Sequence, residues 1–74
     1  MEIDILVAEI GSTTTVVNAF HNINTPNPVF LGQGQAPTSV LSGDVRIGLQ
    51  GAIENLCSNL GVAGISYGKM LATS

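Results

Sequence analysis

An α/β fold is predicted by three observations. Short runs of β-branched residues break at glycine- and proline-bearing turns, one long stretch has helical spacing of its apolar residues, and strand-like sequence returns after it. Residues 3–10 (IDILVAEI) form the first strand. By alternation Ile5, Val7 and Glu9 share one face, and Leu6, Ala8 and Ile10 share the other. On that face Glu9 is not expected to be a freely solvated charge. Gly11-Ser12 interrupts the run and residues 14–20 resume it, which makes a β-hairpin. Residues 21–28 (HNINTPNP) are polar, carry two prolines and read as a loop. Residues 29–34 give a third strand, in which Gly32, Gly34 and the following Pro37 mark an edge or a bulge. Residues 41–43 connect it to the helix.

Residues 44–60 have the helical period. Val45, Leu49, Ala52, Ile53, Leu56 and Leu60 fall on one stripe. Asp44 is placed to cap the N-terminus, and Gly61 follows the last apolar position as a C-terminal cap. Gly48 and Gly51 inside the helix each cost about 1 kcal/mol relative to alanine, and close packing on a sheet is the simple reason for them. Residues 65–73 form the last strand, giving the order β-β-β-α-β with no internal boundary.

The chain has 74 residues, 45% of them hydrophobic, which bounds it to at most one small domain with a thin stability margin. The net charge of −3, with Arg46 and Lys69 the only strong bases, excludes a nucleic-acid surface and an anionic-membrane surface. The N-terminus lacks the charge pattern of a signal peptide, and no run is long enough for a membrane span, so the expected setting is the cytoplasm. Lone Cys57 excludes an internal disulfide, and no Cys/His spacing suggests zinc. The last residues, GISYGKMLATS, enter a strand and stop, which reads as truncation. An unpaired last strand and an exposed helix stripe are expected to promote self-association.

The chemistry concentrates in Glu9-Ile-Gly-Ser-Thr-Thr-Thr15. Gly11 lets a ligand approach the backbone, consecutive N–H groups in such a turn can form an anion nest, and Ser12, Thr13 and Thr14 add hydroxyls. Glu9 at the strand end is placed to hold Mg2+ directly or through water. A polar hairpin turn beside a partly exposed strand terminus fits the same residues, and spacing alone leaves both readings open.

This segment resembles the first phosphate-binding motif, Asp-x-Gly-x-Thr-x-Thr, of the actin/Hsp70/sugar-kinase ATPase superfamily. More closely, DILVAEIGSTTTVVNAF, FLGQGQAPTSVLSGDV and IGLQGAIENL together resemble the MutL (GlmL) family across nearly the whole chain. That family is associated with adenosylcobalamin-dependent glutamate mutase and is similar to reactivating ATPases of B12 enzymes. The resemblance implies a partial ribonuclease-H-like subdomain, with residues 1–74 as the N-terminal part of an actin-like ATPase domain. It implies ATP and Mg2+ as ligands and glutamate mutase or a related B12-dependent mutase as partner. Glu9 then matches the acidic residue that positions metal and water, and Gly11, Ser12, Thr13 and Thr14 match the phosphate-facing turn. Two departures stand out: Glu9 replaces the superfamily's aspartate, and Val16 stands where many activator-type relatives carry lysine. A second phosphate loop, an adenosine pocket and an opposing domain are not in these residues, so hydrolysis by them alone is not expected. Two other functions remain open: a small-molecule kinase or activator on the same fold, and a non-catalytic mutase-binding module.

Outside the motif the bland readings are favoured. His21 is a loop residue and Cys57 a buried small hydrophobe. Lys69 is a solvated edge charge and Asp44 a cap. Gln33–Thr38 offers either a site lining, through close approach at Gly34, or a bulged strand end.

Overall fold

The computed structural model describes residues 1–39 and 43–73. The elements are β1 (Glu2–Ile10), β2 (Thr14–His21), β3 (Val29–Pro37), α1 (Val45–Leu60) and β4 (Ser66–Thr73), in the predicted β-β-β-α-β order. The strands form a mixed sheet of order β3-β2-β1-β4. β1 pairs antiparallel with β2 from Ile5↔Phe20 to Ile10↔Thr15, and β2 pairs antiparallel with β3. β4 pairs parallel with β1 from Glu2↔Ser66 to Glu9↔Thr73. β1, β3 and β4 therefore run the same way, and α1 is the crossover that carries the chain from one edge of the sheet to the other.

Alternation builds the core on one face. The register pairs Leu6 with Ala19, Ala8 with Val17 and Ile10 with Thr15. Leu6, Ala8, Thr15, Val17 and Ala19 are fully buried, and Ala52 and Leu56 of α1 close over them. Burying one such leucine stabilises the fold by about 1.5–3 kcal/mol. β3 comes under the helix through Gly34, where a Cβ would lie 2.2 Å from the Ala52 carbonyl oxygen and 2.4 Å from the Leu56 nitrogen. Gly34 thus serves helix packing, where the sequence left open a ligand's approach or a bulged strand end. Gly48 plays the same part from the helix side, its missing Cβ leaving room for the Pro37 carbonyl.

Both ends of α1 are capped as predicted. The Asp44 carboxylate accepts the Arg46 backbone N–H at 3.0 Å. At the other end Gly61 takes the left-handed conformation, φ 71°, while its N–H donates to Ser58 O and Val62 N–H donates to Cys57 O. The pair of bonds is a Schellman motif. No helix among the described residues is long and apolar enough to cross a membrane.

Several expectations are corrected. β3 continues to Pro37, beyond the predicted end at residue 34, and its irregularity lies opposite Ala19/Phe20 rather than at its end. Pairing with β2 overrides the poor strand propensity of its Gly and Gln residues. His21 closes β2 instead of opening the loop, with Nδ1 3.6 Å from Asp4 Oδ1. Val45 is 44% exposed and Cys57 only half-buried, because α1 rests on a stripe centred on Gly48, Ala52 and Leu56. The last strand is paired, through β1, although seven of its eight residues are exposed. In the stretch between β3 and α1, Leu41 and the start of the predicted connector lie outside the described residues.

Candidate functional site

In open α/β sheets, ligands bind beyond the carboxyl ends of the parallel strands. Here those ends are Ile10, Pro37 and Thr73, which the pairs Ile10↔Thr15, Thr14↔Pro37 and Glu9↔Thr73 hold at one end of the sheet. The Gly11–Thr13 turn sits at that end, between β1 and β2. Gly11, Ser12, Thr13 and Thr14 are all exposed. Next to them lies a cleft of about 400 Å³ lined by Thr13, Thr14, Gln35, Ala36, Pro37 and Asn55.

The turn is held from below. Gly11 N–H donates to Thr14 O at 3.0 Å, and a Cβ on Gly11 would lie 2.9 Å from that same oxygen, so the closure needs glycine. Thr38, just past β3, donates its N–H to Thr13 O at 2.9 Å and its hydroxyl to Gly11 O at 2.8 Å. The Thr38 hydroxyl also meets the Thr15 hydroxyl at 2.9 Å. Among the described residues, the Ser12 and Thr13 N–H groups have no backbone or side-chain acceptor. Exposed N–H donors in sequence, flanked by hydroxyls, suit an anion. The donor set therefore fits a phosphate.

Glu9 departs from its expectation. It is exposed, opposite Val16 on β2 and Thr73 on β4. Ile3 and Ile5, which precede it by alternation, are buried, but at the end of the strand the Glu9 carboxylate is left exposed. Among the described residues no cluster of three His, Cys, Asp or Glu side chains could hold a metal. Mg2+ retains water and phosphate ligands when a protein offers only one or two carboxylates, so a lone Glu9 fits that metal only together with a bound phosphate.

The bases lie elsewhere. Arg46 grips Asp44, with Nη2 to Oδ2 at 2.9 Å, and this hydrogen bond holds the Asp44 carboxyl below the usual carboxylate range. Lys69 is exposed on β4 opposite Ile5. The structure thus brings Gly11, Ser12, Thr13 and Thr14 together, sets Glu9 at the strand end beside them, and supplies no cation from the turn itself.

Thr15 and Thr38 close the segments Glu9–Thr15 and Gln33–Thr38, but neither was assigned a role of its own from the sequence. The signal for Thr15 was present: alternation along β2 puts it on the face of Val17 and Ala19, and a buried hydroxyl requires a partner. That the partner is Thr38 depends on the β2–β3 register, which the sequence does not give.

The site is thus an exposed, anion-suited turn at the carboxyl ends of the parallel strands of a four-stranded α/β unit. The chain belongs to the MutL protein family, whose family model matches residues 5–74. No curated protein and no solved structure matches it.

Proposed function

We propose that the β1–β2 turn binds the phosphates of ATP, and that the chain is the phosphate-binding portion of a ribonuclease-H-like, actin-type ATPase unit. The observation that carries this reading is the exposed Gly11–Thr14 segment, with unpaired N–H groups at the carboxyl end of parallel strands. Ser12 and Thr13 N–H groups and the neighbouring hydroxyls hold phosphate oxygens. Glu9 orients Mg2+ through water, and the metal supplies charge neutralisation that this turn, with Val16 and no lysine, does not. Phosphoryl transfer depends on positioning and charge stabilisation from both sides of the nucleotide, so this unit contributes one side.

Family membership supports a glutamate mutase-associated factor at the level of the family. The finer reading is an ATP-dependent reactivating factor that changes conformation on a B12-dependent mutase in the cytoplasm. MgATP binding measured by calorimetry, with and without Glu9→Ala, tests the site. Loss of binding in the variant is expected, and equal affinity would remove Glu9 from it. ATP hydrolysis with and without mutase, and with candidate metabolites as phosphate acceptors, separates a reactivase from a kinase.

A non-catalytic mutase-binding module is the second reading. The lone exposed Glu9 favours it. Mutase binding in the absence of any ATP binding would establish it.

A further inference from the structure

A hairpin closed between Gly11 and Thr14 has two bonds available, one N–H to C=O in each direction. Only one forms here. Gly11 N–H donates to Thr14 O, while the Gly11 carbonyl accepts the Thr38 hydroxyl and no bond returns to it from the Thr14 N–H. A carbonyl oxygen can accept two bonds, so the Thr38 hydroxyl acts by direction: it draws the Gly11 carbonyl toward Thr38 and away from the Thr14 N–H.

Peptide geometry extends the effect. In a trans peptide the C=O of one residue and the N–H of the next point to opposite sides, and no cis bond occurs among the described residues. Thr38 holds the Gly11 carbonyl through its hydroxyl and the Thr13 carbonyl through its N–H. The Ser12 and Thr14 N–H groups must then both point away from Thr38. The protons are ordered too. The single Thr38 hydroxyl hydrogen goes to Gly11 O, so Thr15 donates to Thr38 Oγ1. Thr15 is fully buried, so this chain of bonds starts from a hydroxyl with no water to turn to.

We infer that Thr38 is a positioning residue that holds the β1–β2 turn open, keeping the Thr14 N–H free as a donor to a phosphate oxygen, with Thr15 fixing the Thr38 hydroxyl from the core. The ligand class rests on the phosphate-site reading above. The open state of the turn does not.

The test uses Thr38→Val, Thr38→Ser and the double variant Thr15→Val/Thr38→Val. The double variant removes both hydroxyls and so leaves no buried orphan donor to unfold the chain. Two quantities are read: amide exchange at Thr14 without ligand, and titration with inorganic phosphate and with MgATP. Both valine variants free the Gly11 carbonyl, so the Thr14 N–H closes onto it and its exchange slows about 2- to 10-fold. A merely structural loss would loosen the turn and speed exchange instead. Thr38→Ser behaves as the wild type. Phosphate and MgATP affinity falls about 10-fold or more in the valine variants, the scale of one hydrogen bond to a charged group. Unchanged or faster Thr14 exchange in both valine variants overturns the inference, as does a Thr14 amide already protected in the wild type. If the wild type binds neither phosphate nor MgATP, the phosphate-site reading fails, and exchange at Thr14 alone decides whether Thr38 holds the turn open.

Discussion

The two edges of the sheet are built in opposite ways. At the β3 edge the helix comes close enough at Gly34 to exclude a methyl group, and two of its side chains satisfy two of the strand's backbone groups. Asn55 Oδ1 accepts the Gln35 N–H at 2.9 Å, and Asn59 Nδ2 donates to the Gln33 carbonyl at 2.7 Å. An edge strand ordinarily presents such groups to another chain, and covering them is one way proteins blunt that hazard. At the β4 edge, among the described residues, Met70 alone of the strand packs against the core. Tyr67 and Leu71 are more than 40% exposed, and even Ala72, which by alternation shares the helix-side face with Ala8, is exposed. Lys69 is the one charge on that strand. The crossover helix here covers the strand it leaves around Gly34, while Val29 and Phe30 at that strand's start stay exposed, and it does not reach the strand it feeds.

The contrast is broken most severely at the glycines. Gly34→Ala forces a Cβ into the α1 backbone and is expected to destabilise by about 4 kcal/mol or more, enough to leave so small a chain largely unfolded. Gly68→Ala on β4 meets only the Asp4 carbonyl, at 3.3 Å, and should shift stability by less than about 1 kcal/mol. Urea denaturation of the two variants side by side checks this. Next in size, Leu56→Ala removes a fully buried side chain and should cost about 3 kcal/mol, whereas Leu71→Ala, 45% exposed, should cost less than about 0.5 kcal/mol. Equal thermal shifts for the pair would mean that β4 is covered in solution, most simply by a second copy.

A smaller effect is expected from Asn55→Ala, about 1 kcal/mol, with faster amide exchange at Gln35 and no change along β4. The smallest effect is a pH dependence of the helix that covers β3. Arg46 depresses the Asp44 pKa in the folded chain, so the cap's contribution is fully present above the ordinary carboxylate value of about 3.9. It is lost as pH falls through the lower folded value. Helical circular dichroism should therefore drop in strong acid, and Asp44→Asn, which keeps a capping oxygen, should remove that part of the drop.

Much of this was legible in the residues. The β1–β2 hairpin follows from branched runs on either side of Gly-Ser. Asp44, the period through Leu56 and Leu60, and Gly61 specify α1 from cap to cap. Gly11 through Thr14 was readable as an anion-suited turn, because nest chemistry is local to a few consecutive peptides. Glu9 was misjudged because alternation tells which residues share a face, not whether anything covers it. Gly34 was left undecided for a related reason: a glycine records that something approaches closely, and not what.

The sequence by itself determined the elements and their order, the two helix caps and the chemistry of the β1–β2 turn. Each depends on neighbours within a few positions, where steric and hydrogen-bonding preferences act without the rest of the chain. Only the tertiary structure decided where the helix packs on the sheet, which edge strand it reaches, and that Thr38 grips the turn from 27 residues beyond Gly11. Those outcomes depend on contacts between distant residues, fixed by β2–β3 register and by where one helix can reach across the sheet.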